Sequence, residues 1–369
     1  MKIYFAVGVM SVLVLVFLSY RHQNIYVKDL YYATEKQLIN TRIMVQQKNI
    51  TSTSTDILLF GYMKGETTFV GNIVGCRTNV FYFYEPLWSL SIGGYFTKDK
   101  ECGFHENTCK SYNSISLNIP KLLSSLYDCN TETIEKLTTE VQTKITCTSS
   151  GSTSTAFKER NISKLKTICT SANSRVTKVL RMGAELIEGL IQTRPNLKII
   201  YLYRDPRAII RSRTKHMKGS ITAMIKAVCG KMDTDSRIML ELTNKYSENV
   251  IFVSAERIAK DPIGVSQKLF DFLGLNFSKA LENKIINLSY RGSRYNSQKK
   301  SRILTENSGF LKSMKWRTLL SIEDKKIIDN SCQSVYRRLG YHEMSSEESF
   351  RNIYISNIVP IDERTSTWL

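Results

Sequence analysis

Histidine, proline and tryptophan are scarce in this chain of 369 residues, at 4, 6 and 3. With so few histidines and no Cys-x-x-Cys spacing there is no zinc-ligand pattern, and no metal site is expected. The low proline content, with 42% apolar and 23% charged residues, excludes a proline-rich or generally disordered chain. No Gly-x-x-x-x-Gly-Lys-Ser/Thr run occurs, which argues against a P-loop kinase. No internal repeat is visible. Acidic residues are also short: 33 Asp and Glu face 52 Lys and Arg, a formal net charge of +19. That excess points to a polyanionic partner: nucleic acid, an anionic membrane, a phosphonucleotide or an acidic glycan.

The chain begins with an uncharged, mostly apolar run of 18 residues, Ile3 to Tyr20. As a helix it would span roughly 27 Å, close to a bilayer core. Lys2 precedes it, Arg21 and His22 follow, and no small-residue cleavage site stands after Leu18. It therefore reads as an uncleaved signal anchor, with residues 1–2 as a cytoplasmic head and the body in the lumen. Residues 21–54 are polar and read as a stem. Four Asn-x-Ser/Thr sequons (Asn49, Asn161, Asn276 and Asn287) agree with a lumenal body. So do eight Cys, at 76, 102, 109, 129, 147, 169, 229 and 332, an even number that suggests disulfides of unreadable pairing. A secretory location removes nucleic acid from the partners.

From residue 55 to 343 the pattern is that of one α/β domain. Ile57–Phe60 reads as a strand, followed by Gly61, Gly65 and a helical run through Phe69 and Ile73. Val80–Tyr84 reads as a second strand. Residues 91–174 form a Cys-rich insertion, with helices expected near Ile119–Leu126 and over 131–143. Strands are expected at Val176–Leu180, Leu197–Tyr203 and Val250–Val253. Helices are expected at Ala184–Thr193, Pro206–Met217, Pro262–Leu273 and 322–339. Strands alternating with helices predict a three-layer, mainly parallel α/β sheet. Residues 344–369 form a tail with no assigned role.

Two segments stand where parallel sheets bind ligands, beyond the carboxyl ends of strands. Between the first strand and its helix lie Lys64, Gly65, Glu66, Thr67, Thr68 and Phe69. A helix N-terminus, a lysine and two hydroxyls can hold an anion such as a nucleotide phosphate. They could equally be an ordinary turn and N-cap. The second segment is Arg204-Asp205-Pro206-Arg207-Ala208 with Arg211, Ser212 and Arg213 in the following helix. A guanidinium fork and a nearby hydroxyl suit a second phosphate. The alternative is a solvated basic helix face, with Asp205 as its cap.

Together these segments resemble the signature regions of Golgi carbohydrate sulfotransferases of the N-acetylglucosamine/galactose/N-acetylgalactosamine 6-O type. Similarity extends through Glu85-Pro86-Leu87-Trp88, Lys178-Val179-Leu180-Arg181, Ala255-Glu256-Arg257, Lys315-Trp316-Arg317 and Arg338-Leu339-Gly340-Tyr341. The resemblance implies a P-loop/sulfotransferase-type sheet and a type II Golgi membrane protein. It implies the donor PAPS (3′-phosphoadenosine 5′-phosphosulfate), no metal, and a glycan, glycoprotein or proteoglycan acceptor. Lys64, Gly65, Glu66, Thr67, Thr68 and Phe69 would hold the 5′-phosphosulfate. Arg204 and Ser212 would hold the 3′-phosphate. Lys64 and Glu85 would be catalytic, the latter as general base, and Lys178, Arg181 and Trp88 would face the acceptor, although Trp88 also reads as a core residue. Trp316 and Arg317 would lie near the donor. Glu66 stands where the family has Gly, and a carboxylate there repels phosphate unless a cation pairs with it. That substitution keeps open a second reading, an inactive lumenal PAP- and glycan-binding relative. Assembly into a homo-oligomer is also left open.

Overall fold

The apolar runs read from the sequence form the strands β1 (Thr55–Gly61), β2 (Val80–Tyr84), β3 (Ser174–Val179), β4 (Lys198–Tyr203) and β5 (Val250–Ser254). These come from a computed structural model that describes residues 54–75, 77–106, 108–115, 117–138, 146–147, 156–157, 161–216, 219–290, 294–296, 301–303, 308–360 and 368–369. The expected head, anchor (3–20), most of the stem and the Asn49 sequon lie outside the described residues. Among the described residues no helix is long and apolar enough to cross a membrane.

The five strands make one parallel sheet in the order β5-β4-β1-β3-β2. Side chains alternate across it, as a strand's period of two requires. On β1, Leu58 and Phe60 face one core with Ile199, Tyr201 and Tyr203 of β4. Ile57 and Leu59 face the other with Ile200 and Leu202. Helices cover both faces. Helix α1 (Thr67–Gly75) packs on the second face, where Gly71 and Gly75 leave room for the Tyr82 ring; a Cβ at either would meet that side chain within 2.5 Å. Helices α2 (Pro206–His216) and α3 (Ile221–Lys245) pack on the first face. The architecture is the three-layer α/β sheet expected.

The chain runs from β1 outward to β2, returns to β3, then crosses β1 to β4 and β5. The crossover direction therefore reverses beside β1, and the carboxyl ends there open onto a crevice. Registers Leu59 to Lys178, Tyr84 to Lys178, Gly61 to Leu202 and Ser254 to Tyr203 bring all five carboxyl ends to one edge.

The sequence reading did not include α3, although its buried Met224, Ile225, Val228, Met232, Met239 and Leu242 keep helical spacing. The helix expected over 322–339 is two, Ile322–Ser331 and Gln333–Leu339. The break falls at Cys332, which is bonded to Cys229 of α3. Helices Ile162–Ser171 and Lys279–Ser289 are also additional. Ala184–Thr193 opens as a 3-10 turn. Helix Thr131–Thr138 matches the start of 131–143, and 139–143 lie outside the described residues. The insertion carries a small antiparallel sheet, Gly94–Phe96, Lys100–Gly103 and Cys109–Ser111, closed by Cys102–Cys109. Its helices cover β2 through Phe81 and Phe83, and Cys129–Cys169 ties them. Residues 344–360 and 368–369 pack against the domain. Phe350 is buried, Trp368 stacks on Phe252, and the Leu369 N–H donates to Phe252 O.

Candidate active site

The loop leaving β1 is a tight turn. The Gly65 N–H donates to Tyr62 O at 2.9 Å, and a Cβ on Gly65 would meet that oxygen at 2.8 Å. Lys64 and Glu66 flank it in left-handed backbone, with φ of 67° and 63°. This conformation suits Gly and costs other residues roughly 1–2 kcal/mol. Phe69 N–H and Val70 N–H turn back to Glu66 O. The Thr67 and Thr68 N–H groups have no backbone acceptor among the described residues, and stand at the positive end of α1. Thr67 is buried, Thr68 is exposed, and Phe69 packs partly into the core. Lys64 makes no ion pair among the described residues.

Beside this loop, Glu85 follows β2 with φ of 54°. Its N–H donates to Lys178 O at 3.0 Å, which seats it against β3. One carboxylate oxygen lies 3.0 Å from Lys178 Nζ, and the other accepts from Arg181 Nη1. Lys178 is only 1% exposed. Its ammonium also donates to Thr68 Oγ1 at 3.3 Å and sits 3.8 Å from the Tyr84 ring centroid. The two cations are therefore buried internal partners of Glu85. Arg181 Nε donates to Ser91 O at 2.7 Å, and Nη2 reaches Ile92 O. Burial lowers the Arg181 pKa from its ordinary value, and Glu85 opposes that shift. The Trp88 ring lies 5.6 Å from this guanidinium and is 40% exposed. Trp88 is thus a rim residue, not a core one.

Across the crevice Arg204 closes β4. Its Nη1 donates to Lys64 O at 2.7 Å and pairs with Glu66 Oε1 at 2.9 Å; its Nη2 donates to Ser313 O at 3.0 Å. Ser212 lies two turns into α2 and is partly exposed. Asp205 caps α2 by accepting from the Arg207 N–H at 2.9 Å, and Glu256 accepts the Asp205 N–H at 2.9 Å. Burial pushes the Glu256 carboxyl above its ordinary range.

The structure thus joins the Lys64–Phe69 loop to Arg204 on one side, and to Lys178, Glu85, Arg181 and Trp88 on the other. Trp316 is buried beside α2, its ring 5.5 Å from the Arg207 guanidinium. Arg317 is wholly buried and donates to Phe350 O, Ser349 O and Ile355 O, holding the C-terminal segment. Among the described residues no group of His, Cys, Asp and Glu side chains is placed to hold a metal.

The sequence profile of the sulfotransferase domain family matches residues 54–340. The chain belongs to that family. Mouse carbohydrate sulfotransferase 1 is 23% identical over 362 residues, covering 85% of each chain. Mouse carbohydrate sulfotransferase 5 is 22% identical and covers 85% of this chain and 87% of its own. Among solved structures, mouse sulfotransferase SULT7A1 complexed with PAP is 13% identical, with a TM-score of 0.39 over 81% of this chain and 88% of that one.

In this sulfotransferase the supporting roles are the ones sequence reasoning missed, including that of Arg213. Arg213 is buried against Phe104 and donates to Phe104 O at 3.0 Å and Met63 O at 3.3 Å, tying the loop to the insertion. Burial brings its pKa down to about 10. Lys231 and Asp235 of α3 form a buried pair at 2.6 Å. Lys231 holds Met182 O and Asp235 holds the Ala184 N–H, which fixes the turn just after Arg181. Charged residues on the apolar face of a helix are the one sequence signal that pointed there.

Proposed function

We propose that this sulfotransferase moves the sulfuryl group of PAPS to a sugar hydroxyl, the 6-hydroxyl of N-acetylglucosamine, galactose or N-acetylgalactosamine in a glycan or glycosaminoglycan. We place it in the Golgi membrane, anchored by residues 3–20, with the catalytic domain lumenal. The observation that carries the reading is the meeting, at one sheet edge, of an anion-binding helix start, the Arg204 guanidinium and a cation-flanked carboxylate. The names of the relatives support a carbohydrate acceptor. The donor's fit rests on the turn at Gly65, which a Cβ would obstruct, and on the Thr67 and Thr68 N–H groups left without backbone acceptors.

When bound, the donor supplies the sulfuryl group, whose bond to the 5′-phosphate oxygen breaks as the bond to the acceptor oxygen forms. Such a transfer depends on positioning and charge stabilisation more than on covalent chemistry. Lys64 and the start of α1 neutralise charge on the 5′-phosphate side. Arg204, with Ser212, holds the 3′-phosphate. Glu85 takes the acceptor hydroxyl proton: one of its oxygens accepts from Arg181, the other is ion-paired with Lys178, and each keeps a lone pair. Lys178 and Arg181 fix its orientation, and Trp88 offers the sugar an exposed ring at the rim.

The test uses the purified full chain with labelled PAPS and a panel of desulfated glycans. Label on one glycan class, located at the 6-hydroxyl by product analysis, is the expected result. Arg204→Ala should weaken PAP binding by about 2–3 kcal/mol, as for a lost charge-assisted hydrogen bond. Unchanged PAP affinity would remove Arg204 from the donor site. PAP binding with no transfer to any glycan would favour the inactive relative.

A further inference from the structure

Glu66 stands where Gly would adopt the same backbone freely, and its left-handed φ of 63° makes it the costlier residue. Its carboxylate is spent on one partner, Arg204 Nη1, at 2.9 Å. The guanidinium does not need it for placement. Lys64 O and Ser313 O hold Arg204 on either side, at 2.7 and 3.0 Å. Glu66 lies against Nη1, which already donates to Lys64 O, so among the described residues Nε–H and one Nη2–H remain for a ligand. A phosphate bound there has the Glu66 carboxylate as a close neighbour of like charge. The Glu66 side chain is 39% exposed, so that repulsion is partly screened by solvent and by salt.

We infer that Glu66 is an affinity-setting residue of the nucleotide site, competing with the nucleotide's 3′-phosphate for Arg204 and so weakening the hold on donor and spent PAP alike. This rests on the donor reading above. It gives Glu66 a defined effect in an active enzyme: a weaker nucleotide site that releases PAP faster. It also separates two nucleotides. One with a 3′-phosphate meets the carboxylate, whereas one with a 3′-hydroxyl leaves the Glu66–Arg204 pair undisturbed.

Calorimetric titration of the full chain with PAP and with adenosine 5′-monophosphate tests this, in wild type, Glu66→Gln and Glu66→Gly. Removing a unit of like charge beside the phosphate should tighten PAP binding by about tenfold at low salt in both variants. The gain should shrink at 1 M salt, where the Debye length is about 3 Å. Binding of adenosine 5′-monophosphate should change by less than about threefold, since the lost charge opposes a 3′-phosphate that this ligand lacks. Wild type that binds PAP as tightly as Glu66→Gln, or more tightly, would overturn the inference and leave the donor reading standing. Equal tightening of both nucleotides would also overturn it, because the effect would then lie at the 5′-phosphate. Failure of all three proteins to bind PAP would overturn the donor reading itself, and the inference with it.

Discussion

Replacing Glu85 by Gln removes the one negative charge between Lys178 and Arg181. The side chains of Glu85, Lys178 and Arg181 are 12%, 1% and 6% exposed, so neither cation can turn to water without repacking. Removing one partner of a buried ion pair costs about 3–5 kcal/mol. The Gln carbonyl oxygen still accepts from one cation, which places the expected loss nearer to about 2–3 kcal/mol. For a domain of this size that lowers the melting temperature by roughly 4–10 °C. Turnover should fall by about 10²–10⁴, the usual effect of losing a general base, while PAP binding is kept. Both effects come from one atom change, so they are separated by a cycle with Lys178→Met. In the double variant the ammonium that lost its partner is gone, and part of the stability should return as a coupling energy of about 1–2 kcal/mol. Turnover should not return, because the base is still missing. The assay is steady-state transfer from PAPS, measured well below the melting temperature of each variant. Turnover of Glu85→Gln within threefold of wild type would rule Glu85 out as the base. A loss that Lys178→Met reverses would make Glu85 a positioning residue for Lys178.

Two further predictions concern stability. Cys229 and Cys332 close a loop with a sequence separation of 103, so replacing both by Ser should cost about 2–5 kcal/mol. An unchanged urea midpoint would show that helices α3 and Ile322–Ser331 hold together without the bond. Burial keeps the Glu185 carboxyl above its ordinary value of 4.5, and its Oε2 is buried without a hydrogen-bond partner among the described residues. A carboxyl raised in the folded state loses stability as pH climbs past the unfolded value, because ionisation is easier in the unfolded chain. Glu185→Gln should therefore melt higher than wild type at pH 7, with the advantage gone at pH 4. Equal melting temperatures at pH 7 would refute the burial argument.

What could be read in advance follows from what each signal depends on. The strands β1, β2, β3, β4 and β5 were legible because strands buried on both faces are short continuous apolar runs ending at turn residues. The placement of Lys64–Phe69 and Arg204 at one edge then follows from parallel connectivity alone. Helix α3 was not recognised because its apolar face is interrupted by Lys231, Asp235 and Ser236, all buried. Lys231 and Asp235 are polar because they hold the turn after β3, and Ser236 because it bonds Asp233 O and Arg338; a linear pattern does not give those partners. The break at Cys332 has a similar cause: the amphipathic pattern continues through it, and the bond to Cys229 is a long-range fact. Trp88 illustrates the opposite case. Its type suits a core, and only the wrapping of 88–92 around Arg181 brings its ring to the rim.

The cluster of arginines after β4 shows why residue type near a phosphate motif overstates the number of phosphate ligands. Arg204, Arg207, Arg211 and Arg213 read together as a basic surface, yet three of them are committed elsewhere. Arg207 is wholly buried, pairs with Asp205 at 2.8 Å, and holds His342 O and Glu343 O. Arg211 donates to Leu319 O, and Arg213 to Phe104 O and Met63 O. These guanidiniums join α2 to the C-terminal segment and the insertion, where their planar forks gather backbone carbonyls from distant parts of the chain. Only Arg204 keeps donors facing the crevice. Much of the positive charge around the proposed nucleotide site is therefore architectural, and it would act on a bound phosphate through the field it leaves, not through contact. On the function proposed above, the direct anion-binding groups reduce to Lys64, the start of α1, Arg204 and Ser212. With so few, a single carboxylate at position 66 would set the affinity of that proposed site by charge count alone, because it pairs with one of the four groups.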